Sequence, residues 1–277
     1  MDTQVLAQRN PVADPYLGIV YGFDDSPQNT EWLLSSGWAN MPETDRDGFV
    51  AAILDVYPTQ VEALQTLYMN AFGRLGDPEG LAYWTLNMLH TGTTDPTNLL
   101  LPVINESPEY VGMLKTALGN REDLASLKTG QEIEDCIRTL DSSTQQGLYG
   151  KLIDNLYENI FGRVADAGGK AYWTSELEQG HTNLLQIMGS LINGAGTTDK
   201  VLLETKGAIA YDAVQALVDH NVITSRDITQ AGTVKIQAAL SGMQERLSEY
   251  DSSEISSLWA DKETLIGKML QDAGLSS

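Results

Sequence analysis

The chain contains its own duplicate, and this limits its possible folds more than any other feature. Residues 67–85 read LYMNAFGRLGDPEGLAYWT and residues 156–174 read LYENIFGRVADAGGKAYWT, an offset of 89 with 12 of 19 positions identical. Copies this similar are expected to fold alike. The residues spell a helix hairpin. Val61, Leu64, Leu67, Tyr68, Ala71 and Phe72 recur at helical spacing. Gly73 stands where a left-handed residue ends a helix. Asp77 then precedes Pro78, Glu79 and Gly80, a capping acid followed by proline and glutamate in a first helical turn. The second helix runs through Leu81, Tyr83, Trp84, Met88 and Leu89 and stops near Gly92. The other copy repeats this from Ile153 to Gly180, with Asp166 in the capping place.

The flanks also read as helices. Residues 1–15 form a polar arm with Pro11 and Pro15, and residues 16–58 carry two short helical patterns, around Trp32 to Trp38 and Asp47 to Val56. The first copy continues with helices near Leu99 to Ile104, Ser107 to Leu118 and Glu132 to Leu140, and the second through 182–196 and 200–219. Amphipathic patterns follow at Ile228 to Tyr250 and Ser253 to Ala273. No segment alternates convincingly at the strand period of two. The expected fold class is all-α: tandem helical repeats, two copies of a helix-hairpin-based domain, with helical N- and C-terminal extensions. The expected divisions are 1–58 for the arm and short helices, 59–140 for the first repeat, 141–220 for the second and 221–277 for a C-terminal helical segment. A 42% apolar share suffices for a packed core.

Charge excludes several function classes. Asp and Glu number 38 against 17 Lys and Arg, a net charge of −21. A nucleic-acid partner needs clustered cations to neutralise phosphates, and here they are scattered. An anionic membrane surface would repel the chain, and no apolar run reaches the ~18 residues of a membrane span. The single cysteine, Cys136, rules out an intrachain disulfide and leaves the compartment open. Residues 1–11 lack a basic-then-apolar leader pattern, so export would use another route.

Catalytic patterns are missing. His90, His181 and His220 form no HExxH and have no cysteine cluster beside them. No G-x-S-x-G nucleophile context occurs. Gly194 to Lys200 fails the phosphate-loop spacing, which places glycine immediately before lysine. The chain is therefore expected not to be an enzyme and to need no cofactor. One partial calcium pattern exists: Glu43, Asp45, Asp47 and Gly48 occupy positions 1, 3, 5 and 6 of an EF-hand loop, but position 12 is Leu54 where a bidentate Glu belongs.

The candidate binding residues lie in the duplicate. Arg74 and Arg163 sit between a helix end and the capping Asp77 or Asp166. Two roles are open to them: bonding terminal carbonyls and pairing with the cap, or binding a ligand in a groove. Tyr83–Trp84 and Tyr172–Trp173 divide similarly. Adjacent helical residues point about 100° apart, so one ring of each pair is core and the other is available for sugar stacking.

The pattern L-Y-x-x-x-F-G-R-x-x-D-x-x-G-x-x-Y-W resembles a helical repeat family of uncharacterised biochemistry. That family occurs in the cell-anchoring N-terminal part of Caulobacter-type S-layer proteins and in RTX-type secreted surface proteins and adhesins. Its core is also similar to phycobilisome linker domains. The resemblance covers roughly 61–110 and 150–215. It implies a non-enzymatic, extracellular structural or binding protein, oligomeric in its assembly, that attaches to a bacterial surface polysaccharide such as lipopolysaccharide or to other structural proteins. The chain departs from RTX proteins in lacking G-G-x-G-x-D repeats. A phage virion component, in a tail or capsid attachment, and a linker-type intracellular scaffold are the alternatives.

Overall fold

The computed structural model describes residues 43–222 and 233–275, with residues 30, 31, 34 and 41 ahead of them. The expected N-terminal arm, the pattern around Trp32 and Trp38, and residues 228–232 lie outside the described residues. Among those described there are twelve α-helices and no strand, so the protein is all-α. In chain order they are α1 (Glu43–Val56), α2 (Pro58–Phe72), α3 (Pro78–Thr91), α4 (Thr97–Glu106), α5 (Pro108–Ala117), α6 (Gly130–Arg138), α7 (Ser142–Phe161), α8 (Ala167–Glu178), α9 (Leu184–Asn193), α10 (Thr197–Asp219), α11 (Thr233–Ser248) and α12 (Ile255–Ala273). No helix among the described residues is long and apolar enough to cross a membrane.

Local chemistry sets the boundaries. Asp77 caps α3 by accepting from the Gly80 N–H, and Asp166 caps α8 by accepting from the Gly169 N–H, both at 2.9 Å. Ser107 and Asp141 cap α5 and α7 in the same way. Thr129 with Glu132, and Asn183 with Gln186, form reciprocal capping boxes on α6 and α9. Each cap satisfies an amide that the helix itself leaves orphaned.

The four helices α2–α5 of the first copy correspond to α7–α10 of the second. At the centre, α2 packs on α5 and α10, while α7 packs on α10, α5 and α2. The first helix of each copy thus meets the fourth helix of both. One buried apolar cluster runs through both copies, from Phe49 and Leu64 to Ile153, Leu184 and Val214, so neither repeat has a core of its own. A second cluster joins α10, α11 and α12 and takes in Met69 and Leu75 from the first copy. The N-terminal flank lies on the first copy as well. Helix α1 packs on α3 and buries Phe49, Val50, Ala52, Ile53 and Leu54 completely.

Candidate functional site

The repeated motif is one piece of packing made twice. Helix α2 ends at Gly73 (φ 61°) and α7 at Gly162 (φ 69°). Gly162 is doubly constrained, because a Cβ there would also lie 2.6 Å from the Tyr250 carbonyl oxygen. The chain turns through Arg74 or Arg163 to the capping aspartate. The tyrosine of the L-Y pair then covers the start of the second helix. A Cβ on Gly80 would lie 3.2 Å from the Tyr68 hydroxyl, and one on Gly169 would lie 2.9 Å from the Tyr157 hydroxyl. The D-x-x-G spacing therefore places the capped amide and the tyrosine contact on one residue.

Both arginines are held in this packing. The Arg74 guanidinium lies 5.4 Å from the Tyr68 ring and 5.9 Å from the Phe72 ring; Arg163 lies 5.7 Å and 5.5 Å from Tyr157 and Phe161. Each then reaches the first turn of its own fourth helix. Arg74 is 3.7 Å from Glu109 on α5, and Arg163 donates to Asp199 on α10 at 2.8 Å. Arg74 also donates to the Leu75 carbonyl and lies 3.8 Å from Asp77. The Gly169 amide, ahead of weaker contributions, holds the Asp166 carboxyl below its usual range.

The aromatic pairs part company here. Each is edge-on, Tyr83 to Trp84 at 5.3 Å and Tyr172 to Trp173 at 4.8 Å. Trp84 and Trp173 are half-buried against the shared core. Tyr83 is half-buried, whereas Tyr172 is 57% exposed. Val164 is also exposed on the same hairpin, and Arg163 is more open than Arg74.

The calcium candidates occupy a different geometry from the expected loop. Helix α1 begins at Glu43, so Glu43, Asp45 and Asp47 lie on helical backbone, where alternate residues turn about 200° from one another. An EF-hand loop instead wraps its ligands around the ion. No group of three His, Cys, Asp or Glu suited to a metal occurs among the described residues.

A feature that sequence reading missed lies at the seam between the copies. A cavity of about 380 Å³ opens where α2, the 94–97 loop, the end of α9 and α10 meet. Asp95 lines it, accepting from the Thr97 N–H and from Asn193 Nδ2, both at 2.9 Å. Burial raises the Asp95 pKa, but those hydrogen bonds outweigh it and lower the value. The one legible signal for this site was the mismatch between copies: Thr59 and Ala63 on its wall correspond, at the offset of 89, to Leu148 and Leu152.

Residues 142–194 match a family described as a domain of unknown function, DUF4214. The matched stretch spans α7, α8 and α9, and so contains the second copy's hairpin, including Arg163, Tyr172 and Trp173. No curated protein and no solved structure matches the chain.

Proposed function

We propose that the protein is a non-enzymatic attachment module of a bacterial surface assembly, outside the cell, whose second hairpin contacts a surface polysaccharide. The exposure of Tyr172 carries this reading. A ring left 57% open beside a half-buried tryptophan offers a rigid apolar face to the C–H side of a sugar. Arg163, nine residues earlier on the same hairpin and 40% exposed, adds a planar donor fork for hydroxyl or acidic substituents. The first copy serves a structural role in this reading, since Tyr83 and Arg74 are more enclosed than Tyr172 and Arg163. Caps, turns and core account for the remaining motif residues, and none of them brings a nucleophile, base and acid together.

The test is binding of the full chain to purified lipopolysaccharide and to a glycan array. Tyr172→Ala is expected to weaken capture about tenfold, the scale of one lost aromatic contact, while Tyr83→Ala leaves it within error. No capture at high protein concentration, or equal capture by both variants, overturns the glycan reading. Symmetric assembly of the purified chain with no glycan capture would instead favour a virion component.

A further inference from the structure

The seam cavity has the composition of a ligand site, and it is independent of the Tyr172 surface. Its size falls within the range of small-molecule pockets. Leu67, Leu203 and Ile192 give it apolar wall, and Glu62, Glu204 and Lys200 give it charge. The void follows from residue choice. At the matching places on α7 the chain carries Leu148 and Leu152, both buried, where this wall has Thr59 and Ala63. It also carries Lys151 where the wall has Glu62. Helices α2 and α10 still touch beside the opening, since a Cβ on Gly207 would lie 3.2 Å from Thr66 Oγ1 and 3.3 Å from the Glu62 carbonyl oxygen. The cavity is therefore framed by direct helix contact.

The charges select the ligand. Lys200 is 4.0 Å from Glu204, and both are largely exposed. Asp95 has its oxygens engaged by Thr97 and Asn193. Glu62 has no cation within 4 Å among the described residues, and Asp212 and Glu204 add like charge to it. Partial burial, then these two neighbours, raises its pKa. A cation placed beside Glu62 would relieve that crowding.

We propose that the cavity between α2 and α10 binds a small organic ammonium ion, with Glu62 and Glu204 taking the charge and Leu67 and Leu203 the carbon frame. An amino-sugar unit and an aliphatic diamine share this chemistry, and glucosamine and putrescine are the two probes that separate them. Titration of the full chain followed by calorimetry or amide NMR is expected to show saturable binding of at least one, with shifts on α2 and α10. The tighter of the two names the source. N-acetylglucosamine, which lacks the charge, is expected to bind about tenfold more weakly than glucosamine, the scale of one charge-assisted hydrogen bond.

Two variants test the site by different routes. Glu62→Gln with Glu204→Gln removes the charge, and Ala63→Phe fills the space while leaving both carboxylates. Both are expected to lose binding with the helical circular dichroism unchanged, and Tyr172→Ala is expected to keep it. The proposal is overturned if neither amine saturates, if N-acetylglucosamine binds as well as glucosamine, or if the two pocket variants bind like the parent chain.

Discussion

The two hairpins share a motif and differ in what surrounds them. In the first copy Leu75, Leu81, Ala82 and Leu86 are wholly buried, between α1 on one side and the C-terminal helices on the other. Leu75 even donates its amide to the Leu240 carbonyl at 3.3 Å. In the second copy the same four places hold Val164, Lys170, Ala171 and Ser175, and Val164 is 56% exposed. The changes come in sets. A Cβ on Gly76 would lie 2.7 Å from Leu81; where Leu81 becomes Lys170, Gly76 becomes Ala165. Likewise Gly150, in the place of Val61, leaves room for the Lys170 stem, since a Cβ there would lie 2.9 Å from its Cε. Buried Gln65 grips the backbone of Gly76 through both its N–H and its carbonyl; its counterpart Asp154 pairs with Lys170 instead. An internal duplicate thus keeps its turn chemistry and rebuilds its outer face according to whether a neighbour covers it.

The largest effect that could break this contrast is at that paired position. Leu81→Ala is expected to cost about 3 kcal/mol in denaturant unfolding, as for a fully buried leucine, while Lys170→Ala costs under about 1 kcal/mol, as for a half-exposed ion pair. Equal losses would mean that the two faces are not distinct environments.

Next in size is the seam, where Asn70 and Asn159, the same motif residue in each copy, line a small gap with Lys206. The Lys206 ammonium is buried with no hydrogen-bond partner, and burial pushes its pKa down to about 8, partly offset by Asp251. The folded state therefore binds this proton more weakly than the unfolded chain. The cost is full below about pH 8 and fades as pH rises toward the ordinary lysine value. Lys206→Met is expected to stabilise the protein by about 2 kcal/mol at pH 7 and to remove that alkaline rise.

Glu134 has the opposite pH signature. It links the copies by accepting from the Leu184 N–H at 3.1 Å, and burial pushes its pKa up to about 7 from 4.5. Its contribution is fully present below pH 4.5 and is lost as pH rises through about 7. Glu134→Gln keeps an acceptor for Leu184 and is expected to flatten the melting-temperature profile between pH 5 and 7.5, with a gain of about 1–2 kcal/mol at the upper end. The smallest effects should be at the cap and the open ring. Asp77→Ala costs about 1 kcal/mol, and Tyr172→Ala stays within about 0.5 kcal/mol while altering any glycan binding. A large stability loss at Tyr172 would place that ring in the core.

Much of the fold was legible in the residues. Gly73, Gly162, Asp77 and Asp166 act within a few residues of themselves, so the expected turns and caps stand where the motif puts them. The helix start of the second copy was less legible, because Ser142 begins its helix 11 residues before Ile153, whereas Pro58 begins its own only 3 before Val61. For the candidate site, spacing alone left the roles of the aromatics open. Tyr83 and Tyr172 have the same neighbours in sequence, and their different exposure depends on what lies against each hairpin.

By itself the sequence determined that this chain is helical, that it is built from two like hairpins, and where those hairpins turn. Such features rest on contacts between residues a few positions apart. Only the tertiary structure decided that the copies share one core, that α1 encloses one hairpin while the other stays open, and that a cavity lies between α2 and α10. Each of these joins residues distant along the chain, such as Thr66 with Gly207 and Asp95 with Asn193, whose meeting no local pattern encodes.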